Sequence, residues 1–163
     1  THAADEMGRV AATNALRRLS LLTFAQWAVP AVTFTTPEVA RVGVTEAEAN
    51  NTYPGSRVVE LQLSELDRAR TADQLDGFIK VIVAPKRLAR NIGGGRVVGA
   101  TIVAPRAGEM IAELALAMRT GMFAGRIAQA SHAYPTWSIG VQQVVGQLFG
   151  YGPHKPRPTR SDS

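Results

Sequence analysis

Residues 77–121 read GFIKVIVAPKRLARNIGGGRVVGATIVAPRAGEMIAELALAMRTG, and their pattern predicts two strands followed by a helix. Segments 78–84 and 96–103 are rich in valine and isoleucine, which is typical of β-strands with buried side chains. The loop of residues 85–95 is too short for the helical crossover that parallel strands need, so the two segments form an antiparallel hairpin. Segment 107–120 follows almost directly and predicts a helix.

The predicted helix has an apolar stripe. Ile111, Leu114 and Met118 recur at intervals of three and four residues, as they would on one face of an α-helix. Gly121 suits the position after the last turn, where a left-handed backbone is common. The stretch therefore predicts a hairpin with a helix packed against it.

The sequence before this stretch predicts more strands than helices. Segments 31–35, 38–42 and 57–63 have strand character, and a short helix begins at Thr45, with Glu48 completing a capping box. Strands that precede helices without strict alternation indicate an α+β fold, with an antiparallel β-sheet flanked by helices.

The two ends of the chain predict different structure. An alanine-rich helix opens the chain, with Ala3 and Met7 on one face. Segments 124–130 and 141–149 predict two further helices. Residues 150–163 are rich in glycine, proline and basic residues, which predicts a disordered tail.

Composition limits the chemistry of the chain. It has 163 residues, a net charge of +5 and no cysteine, so it holds no disulfide, thiolate metal site or redox-active cysteine pair. The start is polar and acidic, which predicts no signal peptide and, by default, a cytoplasmic location. Gln26 and Pro30 interrupt the uncharged segment 20–37, so no membrane span is predicted.

The positive charge allows two interpretations. It is concentrated in the loop of residues 85–96 and in the tail. Basic patches bind nucleic acid in many proteins, but here aromatic residues are not interleaved with them, as single-strand binding requires. A basic loop and tail on an unrelated fold is the other interpretation, under which nucleic acid is not a partner.

Two patterns of residues have both a functional and a structural interpretation. Gly93, Gly95 and Gly99 are spaced somewhat like a dinucleotide loop, but such a loop opens a helix, and here a strand follows, so a hairpin tip is the alternative. Glu109 and Glu113 lie one helical turn apart and could share a metal. No third ligand lies near them in sequence, so solvated or interface carboxylates are the alternative, and no metal site is predicted.

A third pattern involves one of the three histidines. His132, Ser138 and Asp67 could form a catalytic triad, but triads are recognised by geometry and nothing in this spacing supports one. A structural or solvent-facing histidine is the alternative.

Nine short stretches along the chain resemble, in the same order, stretches of one protein family. They are THAA (1–4), AATNA (11–15), PAVTFTTPEVA (30–40), VGVTE (42–46), DRA (67–69), GFIK (77–80), VGATIV (98–103), AGEMI (107–111) and HAYPT (132–136). Together and in this order they resemble the pyridine nucleotide–disulfide oxidoreductase family, which includes dihydrolipoamide dehydrogenase, glutathione reductase and mercuric reductase. The resemblance runs from Thr1 to about residue 149 and agrees with the α+β prediction.

The resemblance implies a division of the chain. Residues 1–19 would be the last helix of an FAD-binding domain, 20–29 a linker, 30–149 the dimerisation domain and 150–163 a disordered basic tail. The FAD- and NAD(P)-binding domains and the redox cysteine pair would lie before Thr1. FAD and NAD(P) are therefore expected in the full-length enzyme, whereas this fragment alone is expected to bind neither and to be inactive.

The resemblance also implies a site. In the family, a His-Pro-Thr segment reaches the flavin and disulfide of the partner subunit, where the histidine is the acid/base group and a glutamate five residues later orients it. Tyr134 stands at the histidine position and Ile139 at the glutamate position, while Pro135 and Thr136 match. Tyr134 and Thr136 are thus the catalytic candidates.

The tyrosine changes the implied chemistry. A phenol titrates near about 10 and an imidazole near about 6.5, so Tyr134 is a poor base at neutral pH, although it can donate a proton. Mercuric reductases also have tyrosine at this position, so a metal ion, a quinone or another small oxidant stays open as the electron acceptor. Thr1 and His2 match positions that contact the flavin of their own subunit, and with Pro135 they are the cofactor-binding candidates.

Three hypotheses follow. The first is the dimerisation domain of a flavin-dependent NAD(P)H oxidoreductase, a homodimer joined through helix 107–120 and the sheet face of 97–103, with upstream domains in the same polypeptide. The second is a free-standing basic dimeric module that binds nucleic acid or acidic partners through loop 85–96 and the tail. The third is a degenerate relative that dimerises with no enzyme attached.

Overall fold

The structure is a computed structural model that describes residues 2–17, 21–86 and 92–159. The strands are β1 (Ala31–Thr33), β2 (Glu38–Gly43), β3 (Arg57–Gln62), β4 (Phe78–Ala84), β5 (Arg96–Ala104) and β6 (Arg157–Pro158). The helices are α1 (His2–Leu16), α2 (Glu46–Thr52), α3 (Asp67–Thr71), α4 (Ala107–Arg119), α5 (Ala124–Gln129) and α6 (Ile139–Gly146). Short 3-10 turns occur at Gln26–Ala28, Leu63–Glu65, Ile92–Gly94 and Gln147–Phe149.

The strands of this part of the chain form one sheet in the order β1-β2-β5-β4-β3-β6, with every neighbouring pair antiparallel. The predicted hairpin is confirmed as β4 and β5 at the centre of the sheet. Ile79 pairs with Ile102 and Val81 with Ala100, and all four side chains are buried. The α+β fold with an antiparallel sheet is therefore confirmed.

The main core lies between one face of the sheet and the helices α4 and α6. Ile111, Leu114 and Met118 of α4 are buried against it, as the predicted stripe requires. Val141 and Val144 of α6 complete this layer. Each fully buried aliphatic side chain contributes about 1.5–3 kcal/mol relative to exposure, so this layer fixes the position of both helices.

A smaller core covers part of the opposite face. Ala49 of α2 packs on Val58, Ile82 and Val98. The predicted capping box of α2 is confirmed, because Glu48 N–H donates to the Thr45 hydroxyl at 3.3 Å and Thr45 N–H donates to the Glu48 carboxylate at 2.7 Å.

The tail differs from the predicted disorder over residues 150–159. Arg157 and Pro158 form β6 on the edge of β3, and the Arg157 guanidinium binds the Glu46 and Glu60 carboxylates. The hydroxyls of Ser56 and Thr159 lie 2.8 Å apart. A segment rich in glycine, proline and charge is disordered only when the rest of the fold offers it no partner. Here the edge of β3 pairs with its backbone, and two carboxylates pair with Arg157.

The prediction that the sheet face of residues 97–103 is available for association is mostly wrong. Val97, Val98, Ala100 and Ile102 are all buried within the chain, because α4 covers one face of β5 and α2 covers part of the other. Among the described residues, no helix is long and apolar enough to cross a membrane.

Candidate functional site

Residues 131–138, here called the 131–138 segment, connect α5 to α6 and contain Tyr134, Pro135 and Thr136. The Tyr134–Pro135 peptide bond is cis. The Tyr134 residue is 67% exposed, so its ring lies outside the core. Both helices that flank the segment are anchored in the main core, which fixes the two ends from which Tyr134 projects.

The Tyr134 hydroxyl has a partner that is distant in sequence. It donates a hydrogen bond to the Asp67 carboxylate in the first turn of α3, at 3.1 Å. This hydrogen bond and the negative charge of Asp67 raise the pKa of Tyr134 above its usual value. The phenol therefore keeps its proton at neutral pH, and its oxygen can still accept a hydrogen bond from another group.

Thr136 folds the segment back on itself. Its hydroxyl donates to the Ala133 carbonyl at 2.6 Å and lies 3.1 Å from the Ser138 hydroxyl. Ile139, which stands at the position of the orienting glutamate, packs against the main core. The acidic group near Tyr134 is thus Asp67 and comes from another element.

His132 lies at the base of the segment, between α4 and α5. Its Nε2 is 3.0 Å from the Glu113 carboxylate and its Nδ1 is 3.0 Å from the Ala130 carbonyl. Its side chain is 9% exposed. Burial alone lowers the pKa of His132, but the hydrogen bonds to Glu113 and Ala130 and the charge of Glu113 outweigh it, so the pKa is raised overall.

The triad pattern is not formed. Asp67 contacts Tyr134, Ser138 contacts Thr136, and His132 contacts Glu113. Sequence reasoning missed the Tyr134–Asp67 and His132–Glu113 pairs, which span 67 and 19 residues. No local spacing rule links such positions, since only the tertiary fold brings them together.

A cleft of about 540 Å³ adjoins the segment. Its walls include Arg68, Arg106 and Trp137. A neighbouring cleft is lined by the same three residues and also by Thr136. The Arg68 guanidinium lies 5.8 Å from the centre of the Trp137 ring. The walls of the larger cleft also include Glu38, Asp73 and Asp76, so a surface with charges of both signs and one aromatic ring lies beside the predicted catalytic segment.

The glutamate pair and the glycine string that the sequence singled out both have ordinary structural surroundings. In the described ranges, no three acidic or histidine residues cluster as a metal site. Arg106 engages Glu109 at 3.4 Å, and His132 engages Glu113. Gly93 and Gly95 lie between β4 and β5 with φ of 64° and 84°. They form part of a hairpin connection, and the helix that dinucleotide binding needs does not follow it.

Several basic residues of the loop and tail have intramolecular partners. Lys86 donates to the Gly121 carbonyl at 2.6 Å and lies 3.7 Å from the centre of the Phe123 ring. Arg96 lies over Tyr53 at 5.4 Å, and Arg157 is paired with carboxylates. These contacts weaken the argument for a basic module that binds nucleic acid. Residues 87–91 and Arg160 lie outside the described residues.

The cofactor-binding candidates at the start of the chain stay predictions. Thr1 lies outside the described residues, and His2 is the first residue of α1. Pro135 lies in the exposed part of the 131–138 segment.

Residues 29–145 match the family model described as pyridine nucleotide-disulphide oxidoreductase, dimerisation domain. A dihydrolipoyl dehydrogenase from Haloferax volcanii is 34% identical over 153 residues, which are 94% of this chain and 30% of that protein. One from Geobacillus stearothermophilus is 36% identical over 135 residues, which are 83% of this chain and 27% of that protein. The chain therefore spans less than a third of these relatives.

Solved structures show the same similarity. LpdA from Mycobacterium tuberculosis superimposes with a TM-score of 0.76 and 28% identity, over 86% of this chain and 29% of that one. The HOCl-induced flavoprotein disulfide reductase RclA from Escherichia coli gives a TM-score of 0.74 and 25% identity, over 85% and 30% of the two chains.

Proposed function

This chain belongs to the pyridine nucleotide–disulfide oxidoreductase family, whose dimerisation domain it contains, and on that premise we propose that two copies form a homodimer. Each copy supplies its Tyr134-Pro135-Thr136 segment to the active site of the other, in a flavin-dependent NAD(P)H oxidoreductase. One observation carries this proposal: Tyr134 is held outward at 67% exposure while its hydroxyl is fixed by Asp67.

The exposed side of α4 is the proposed interface. Ala112 and Leu116 are exposed there at four-residue spacing, and Leu116 is 59% exposed. Phe34, which is 75% exposed, lies beside Gly108. An apolar helix face with small residues permits close approach of a second copy, and obligate interfaces of this kind bury more than about 2,000 Å².

Tyr134 is proposed as a proton donor. Its raised pKa opposes a role as base, since Asp67 holds the proton on the phenol. The same shift makes the phenol a weaker acid, so to act on a reduced acceptor it must move its hydrogen bond from Asp67 to that acceptor, a role that suits this state better than thiol deprotonation. The acceptor class stays open between a metal ion, a quinone and another small oxidant.

FAD and NAD(P) are proposed to bind outside this chain. A dinucleotide site needs a glycine-rich turn that leads from a strand into a helix, and the described glycine-rich turn leads from β4 to β5 instead. The fragment is therefore proposed to bind neither cofactor by itself and to be inactive alone. The cytoplasmic location also stays a prediction.

Sedimentation velocity on the chain tests the dimer. We expect the unmodified chain to sediment as a dimer and Leu116→Lys to shift it toward monomer, because a charge would then be buried in the interface. Tyr151→Lys is the control, since Tyr151 is 73% exposed and precedes the strand on the opposite edge of the sheet. A monomer at high concentration of the unmodified chain would contradict the proposal.

A further inference from the structure

The hydrogen bonds of His132 define its protonation state. Both ring nitrogens lie 3.0 Å from an oxygen, one on a backbone carbonyl and one on a carboxylate. Carbonyl and ionised carboxylate oxygens only accept hydrogen bonds, and a neutral imidazole has a single N–H. With Glu113 ionised, both contacts are therefore satisfied together only when His132 is an imidazolium.

This ring joins three helices at the base of the 131–138 segment. Glu113 lies on α4, and Ala130 ends α5. The Ala130 carbonyl also accepts a hydrogen bond from Gln142 of α6 at 2.8 Å, and the same amide lies 3.3 Å from the Ala128 carbonyl. Tyr134 follows two residues after His132, so a movement of the ring would displace the tyrosine.

We propose that His132 is a positioning residue, and that its imidazolium form holds the 131–138 segment in the conformation that presents Tyr134. The importance of His132 for activity rests on the proposed function, in which Tyr134 serves the partner's active site. Loss of the ring proton removes one of the two hydrogen bonds and the attraction to Glu113. The segment then loses its link to either α4 or the end of α5, and the orientation of Tyr134 changes with it.

The surroundings identify Glu113 as the controlling charge. The ionisable residues on the neighbouring elements are Glu109, Glu113 and Arg119 on α4, Arg126 on α5 and Tyr134 in the segment, with none on α6. Glu109 is engaged by Arg106, Arg119 by Glu6, and Tyr134 by Asp67. Arg126 is exposed. Glu113 is the member of this set that is hydrogen bonded to the ring.

The sign of the pH dependence follows from the raised pKa of His132. The pair contributes its full stabilisation below about pH 6.5, where an unfolded histidine is also protonated. This contribution is lost as the pH rises through the pKa of His132 in the folded chain. Presentation of Tyr134 is therefore expected to weaken on the alkaline side.

NMR titration of the whole 163-residue chain tests the proposal. The ring signal of His132, assigned with His132→Gln, should titrate above about pH 6.5. The amide signals of Tyr134 and Trp137 should move with the same midpoint. Glu113→Gln should lower the midpoint, and Glu109→Gln should leave it nearly unchanged, since it removes an equal charge one turn away on α4.

Two outcomes would overturn the proposal. One is a His132 midpoint at or below about 6.5, and the other is a set of Tyr134 and Trp137 signals that ignore the His132 titration. If Glu113→Gln does not fold, the unmodified chain still decides between these outcomes. A monomer in sedimentation would refute the proposed function and leave the titration result intact, so the two failures can be told apart.

Discussion

At the scale of single residues, the candidate site combines predictable and unpredictable parts. The HAYPT stretch is enough to locate Tyr134, Pro135 and Thr136. It does not show that Asp67 receives the Tyr134 hydroxyl, because the contact depends on how α3 packs beside the segment. Motifs identify the residues of such a site, and tertiary packing decides the protonation state of each.

The Tyr134–Asp67 hydrogen bond gives a direct prediction. Asp67→Asn should lower the pKa of Tyr134, because it removes the negative charge that holds the phenolic proton and leaves only a neutral amide oxygen as acceptor. Ultraviolet titration measures tyrosinate formation, and Tyr134→Phe identifies which of the three tyrosines responds. Asp73→Asn, a change of an exposed aspartate in the turn after α3, is the matched control. Equal curves for both asparagine variants would refute the assignment.

At the scale of elements, buried periodic segments were the most predictable. Strand β4 occupies the predicted residues 78–84, and α4 ends one residue before the predicted 120. Strand β6 was missed because its two residues have no periodic pattern of their own. Helix α6 starts two residues earlier than predicted, at Ile139, whose side chain also packs on the core.

The ion pairs of β6 should contribute measurably to stability. Arg157→Gln should lower the free energy of unfolding by about 0.5–1 kcal/mol, as expected for partly exposed ion pairs. It removes the bridge to Glu46 and Glu60, both of which Lys80 also approaches, at 3.7 and 3.4 Å. Denaturant unfolding should show a smaller effect at high salt. Arg126→Gln, which removes the same charge from an exposed site on α5, should have less effect, and equal losses for both variants would contradict this role of Arg157.

At the scale of the whole molecule, the fold and family were accessible from the sequence, but the available surfaces were not. The sheet face of 97–103 has the apolar composition of an interface and is nevertheless covered by helices of the same chain. Burial is a property of the assembled layers, so composition alone cannot tell an internal face from an external one. Of the two predicted association surfaces, the exposed side of α4 is the one that stays available.

Association should make the thermal stability depend on concentration. Because a folded dimer is favoured by mass action, the Tm of the chain should rise by several degrees over a hundredfold increase in protein concentration. Scanning calorimetry on Leu116→Lys should show a Tm nearly independent of concentration. A constant Tm for the unmodified chain would argue for a monomeric fold or for chains that stay associated after unfolding, and sedimentation separates these two cases.

The sheet ends on both sides in very short strands, β1 with three residues and β6 with two. Long, flat outer strands are templates on which further chains can add and grow into fibres. Edge strands of this length offer few free backbone groups to another chain, so growth of the sheet from chain to chain is disfavoured. If the proposed α4 interface is isologous, it closes around a two-fold axis, and assembly is then expected to stop at a pair of chains.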